Sequence, residues 1–74
     1  MSIAFEKGEE IGYISEIIRS IKIRYSKILE INEEEKTITL ENAMVLKFVN
    51  KSSSAWLTYR NIKTGKSVLV KDKF

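Results

Sequence analysis

Four residues near the end of the chain have types and spacing that could do chemistry: Trp56, Arg60, Lys71 and Lys73. Trp56 is the only tryptophan. In an extended strand alternate residues share a face, so Trp56, Thr58 and Arg60 line up on one side, as do Lys71 and Lys73 on the next strand. An exposed indole can stack an unpaired base, which contributes about 1–3 kcal/mol. Guanidinium and ammonium groups beside it can follow a phosphate backbone. Lys63 and Lys66 flank the intervening turn and extend the set, and Lys22, Arg24 and Lys47 are further candidates. The predicted activity is nucleic-acid binding with little sequence preference. Two other readings compete for Trp56, as a core anchor or as an anchor in a protein interface.

Other chemistries find fewer residues to work with. The chain has no Cys and no His, so disulfides, the usual zinc sites and His acid/base catalysis are excluded. A nucleophile would have to be Ser, Thr or Lys. The stretches SSSAW and KTGK supply those types, but KTG lacks the SxxK and SDN partners that give it meaning in penicillin-recognising enzymes. No GxxxxGK[ST] phosphate loop is present. The run Glu33, Glu34, Glu35 abuts Lys36 with no glycine turn, which suits a solvated hairpin tip better than a calcium loop. Neither catalysis, a metal nor a cofactor is expected.

The elements that must position these residues are read from hydrophobic period. Ile11, Ile14, Ile17, Ile18 and Ile21 recur at helical spacing, which predicts a helix over about 9–20. The period then becomes two. Ile21, Ile23, Tyr25, Leu29 and Ile31 predict a half-buried strand over 21–31 with those residues inside. Further strands are predicted over 37–41, 43–49, 55–62 and 67–73, with Asn42 marking a bend between the first two of these. Pairing Ile62 with Ser67 sets Trp56 opposite Lys73, Thr58 opposite Lys71 and Arg60 opposite Leu69. It places Ala55, Leu57, Tyr59, Val68, Val70 and Phe74 inside. A register shifted by one would mix these with charged residues. The fold class is therefore α+β: an N-terminal helix and a five-stranded antiparallel sheet, closed as an SH3-like or Sm-like barrel. The order of helix and strands resembles the Sm-like pattern in topology alone.

Seventy-four residues predict one domain, 1–74. Hydrophobic residues are 43% and charged residues 31%, which favours a folded chain over a disordered one. A domain this small buries only about 60% of its unfolded surface, so self-association into a homodimer is an expected source of extra stability. The net charge of +3 conceals a division. Residues 1–41 carry six Lys/Arg against nine Glu, net −3, and residues 42–74 carry seven Lys/Arg against one Asp, net +6. No apolar run is long enough to span a bilayer and no signal peptide is evident, so a cytoplasmic protein without membrane contact is expected. The alternative function is a protein-interaction or assembly module, accessory or inhibitory, docking a larger partner.

Overall fold

A computed structural model of the chain describes residues 5–14 and 22–72. Six strands run in the order β1 Glu10–Ile14, β2 Arg24–Asn32, β3 Thr37–Leu40, β4 Val45–Lys51, β5 Trp56–Asn61 and β6 Ser67–Lys71. Each strand pairs antiparallel with its neighbour in sequence, and β1 pairs with β6 to close a barrel. Closure gives every strand two partners and removes the free edges that an open sheet would present. Because chain order is also spatial order, β1–β3 form one wall and β4–β6 the other.

Short turns connect the strands from β2 to β6, each made by local chemistry. The loop Glu33–Lys36 ends on Lys36 at φ 58, and the loop Ile62–Gly65 ends on Gly65 at φ 73, the same left-handed position filled once by Lys and once by Gly. Between β3 and β4 the loop is four residues, Glu41 to Met44. Ala43 donates its N–H to the Leu40 carbonyl and adopts φ 70, a conformation that favours glycine. The Asn42 side chain stitches this turn to β1: its Nδ2 donates to the Tyr13 hydroxyl at 2.7 Å, and its Oδ1 accepts from the Met44 N–H at 3.2 Å. Between β4 and β5 the N–H groups of Ser52 and Ser53 both donate to the Trp56 carbonyl, which fixes where β5 begins.

Alternation buries one face of each strand. Ile11, Tyr13, Ile28, Ile38, Leu40, Leu46, Leu57, Tyr59, Val68 and Val70 fill the barrel with Phe5, and Ile31, Met44 and Phe48 pack against them. Phe48 and Tyr59 are cross-strand partners in edge-to-face contact, ring centroids 5.4 Å apart. Such a pair contributes about 0.5–1.5 kcal/mol beyond its area.

The helix predicted over 9–20 is corrected where the structure describes it. Glu10–Ile14 is β1, and no helix occurs among the described residues; positions 15–20 lie outside them. Ile11 and Tyr13 face the core, but Gly12 and Ile14 on the other side are buried too. A strand covered on both faces has no polar alternation, so its apolar residues mimic a helix face. Gly12 argues against a helix interior, where it costs about 1 kcal/mol relative to Ala. Six strands in a sequential barrel therefore replace the helix and five strands of the SH3-like or Sm-like expectation.

The face of β2 is also corrected. Tyr25 and Leu29 point out, 62% and 49% exposed, while Ser26 and Ile28 point in, 8% and 1% exposed. A bulge between Ile28 and Glu30 inserts one residue, after which Ile31 turns inward as expected.

Candidate nucleic-acid interface

Of the predicted site residues, Trp56, Arg60 and Lys71 are carried by the outer side of β5 and β6, beside Lys47 on β4. From Asn42 to Lys71 the sequence contains no acidic residue. The three strands therefore expose bases and no acids: Lys47, Arg60 and Lys71 are outward and exposed. Lys51 lies at the end of β4 and pairs with Asp72, Nζ to Oδ2 3.0 Å. Among the described residues no carboxylate pairs with Lys47, Arg60 or Lys71.

The observed register of the last hairpin differs by two residues from the predicted one. Trp56 is opposite Lys71, Thr58 opposite Leu69 and Arg60 opposite Ser67. The cause is the turn. Asn61 closes it by donating its N–H to the Lys66 carbonyl at 2.9 Å, and its side-chain Oδ1 accepts from the Lys63 N–H at 2.9 Å. Ile62 is thereby pushed out of the strand pair and is 53% exposed. A shift of two preserves the faces, so Leu57, Tyr59, Val68 and Val70 remain inside and Thr58, Arg60 and Lys71 remain outside. Ala55 is half-buried. Lys73 and Phe74 lie outside the described residues.

Two pairs result. At one end of the face Trp56, half-buried, has Lys71 as its cross-strand partner. Four residues along β5, about 13 Å away at ~3.3 Å per residue, Arg60 has Lys47 as its partner on β4. The row between them is Asn50, Thr58 and Leu69. Lys63 and Lys66 sit on the β5–β6 turn, beyond Arg60 and away from Trp56. Lys22 and Arg24 are exposed on the opposite wall, at and just before the start of β2.

Tyr25 is the residue that the sequence pattern concealed. β1 meets β6 at Tyr13 opposite Val70, and continuing that register one residue sets Gly12 beside Lys71. Gly12 is opposite Tyr25, whose ring lies over the glycine: a Cβ built there would be 3.1 Å from Tyr25 Cε1. Missing side chain and covering ring are complementary, an arrangement that shields a strand glycine. The outward sequence along this row is Trp56, Lys71, Gly12 and Tyr25, two aromatics on either side of a cation. The signal available in the sequence was Gly12 itself, since a strand glycine marks a place where another group comes close.

Beyond Tyr25 the surface changes character. A notch of about 360 Å³ is lined by Glu10, Tyr25, Ser26, Lys27, Glu41 and Asn42, so carboxylates border the aromatic row on the β1–β3 wall. Comparison of the chain with protein-family models, with curated proteins and with solved structures finds no match.

Proposed function

We propose that this barrel binds single-stranded nucleic acid on the outer side of β4–β6, electrostatically and with little sequence preference. The observation that carries this reading is Lys47 directly opposite Arg60. Like charges at opposed strand positions are destabilising, and no carboxylate among the described residues offsets this pair. A bound phosphate backbone would supply the missing countercharge. Trp56 and Tyr25 add π faces at the Lys71 end, where unpaired bases could stack. No catalytic role is proposed for any residue.

The test is a titration of a labelled mixed-sequence single strand at several salt concentrations. Binding should weaken steeply with salt, because each neutralised phosphate on a single strand contributes about −0.7 to the slope of log K against log salt. Lys47→Ala with Arg60→Ala should flatten that slope by about two phosphates' worth. Trp56→Ala should weaken binding by roughly 1–3 kcal/mol with the slope kept, since stacking releases few counterions. A double variant with the native slope would contradict the proposed phosphate path.

A further inference from the structure

A second outward row crosses the barrel at the other end of β5. Leu29 and Glu30 of the β2 bulge lie against Thr39 of β3, and Thr39 is opposite Val45 of β4. Ile62 follows Asn61, the partner of Leu46, and donates its N–H to the Val45 carbonyl at 2.9 Å. Leu29, Thr39, Val45 and Ile62 therefore form one continuous strip over the outer side of neighbouring strands. Its ends are the most exposed, Leu29 at 49% and Ile62 at 53%. Thr39 is its one polar side chain.

The two ends of this strip carry opposite charge. Glu30 sits beside Leu29 because the bulge turns both residues outward, and the exposed Glu33–Glu35 turn closes the same hairpin. Lys63 follows Ile62 and is exposed. We infer that the strip is the interface of a homodimer with twofold symmetry. Turned end to end, the strip of a second copy sets its Ile62 against Leu29 and its Lys63 against Glu30. A twofold interface uses one patch on both copies, so the patch must complement itself. A strip that is uncharged and largely apolar along its length, acidic at one end and basic at the other meets that requirement. Bulges commonly re-aim side chains, and here the bulge creates the acidic end. The aromatic row at Trp56 lies six residues back along β5 and remains uncovered.

The experiment is sedimentation equilibrium of the native protein in the absence of nucleic acid, with variants confined to exposed positions. The native chain should be dimeric at tens of micromolar. Leu29→Lys should raise the dimer dissociation constant at least tenfold with the far-ultraviolet circular dichroism spectrum unchanged. Glu30→Lys and Lys63→Glu should each weaken the dimer, and the two together should restore it to within about threefold of native. A native monomer at high micromolar concentration would overturn the inference. So would a dimer indifferent to Leu29→Lys, or a charge-exchanged double variant no tighter than either single one.

Discussion

The hydroxyl of Tyr59 belongs to a residue 1% exposed in the barrel core. Burial first, and the Asp72 carboxylate second, push its pKa up to about 12. Folding thus favours the protonated form. The resulting stability is fully present below about pH 10, where an unfolded tyrosine titrates, and is lost as pH rises towards and through about 12. At roughly 1.4 kcal/mol per unit, the native protein should lose about 2–3 kcal/mol relative to Tyr59→Phe across that window, read by urea unfolding at each pH. Turn residues give a second expectation of opposite sign. Ala43 holds φ 70, which costs an L-residue about 1–2 kcal/mol. Glycine would remove that cost and add about 0.5–1 kcal/mol of entropy loss. Ala43→Gly should therefore stabilise the barrel by up to about 1 kcal/mol, visible as a rise of a few degrees in Tm. In the core, Leu46→Ala should cost about 2–5 kcal/mol, against a total of about 4–11 kcal/mol for a chain of this length. Melting of that variant at the native temperature would show that Leu46 is not core.

At the scale of elements, β1 both closes the barrel and seats Tyr25. Its Gly12 has Ile23 Cγ2 and Tyr25 Cε1 each 3.1 Å from the position a Cβ would take. Gly12→Val should displace the Tyr25 ring, destabilise the barrel and weaken single-strand binding. A variant with native affinity would separate Tyr25 from the binding face. The elements also show where sequence patterns are legible. β3 to β6 follow the expected alternation because each has one dry and one wet face. β1 was hidden because both of its faces are buried. The facing of β2 was misread because Tyr25 and Leu29 are apolar yet outward, serving as cover for Gly12 and as one end of the exposed strip. The last hairpin slipped by two because Asn61, through its side chain, begins the turn one residue earlier than Ile62. Parity survived the slip, so Trp56, Arg60 and Lys71 were placed on the correct face while Trp56 received the wrong partner.

At the scale of the whole molecule, charge follows topology. Folding could have mixed the acidic first half with the basic second half. The sequential strand order instead assigns them to separate walls, β1–β3 and β4–β6. The molecule is therefore a small barrel with an electrostatic direction, and under the proposed function an anionic polymer would be drawn to the wall that carries Lys47, Arg60, Lys71 and Trp56. Because Trp56 is the only tryptophan, fluorescence excited beyond the tyrosine absorption band reports on this wall alone. The most direct measurement is Trp56 emission during titration with an unlabelled oligothymidine single strand at low salt. Emission should be quenched to saturation as bases stack on the indole, and added salt should reverse it. Emission unchanged at an oligonucleotide excess that saturates independently measured binding, or no binding at low salt at all, would contradict a nucleic-acid interface on this face.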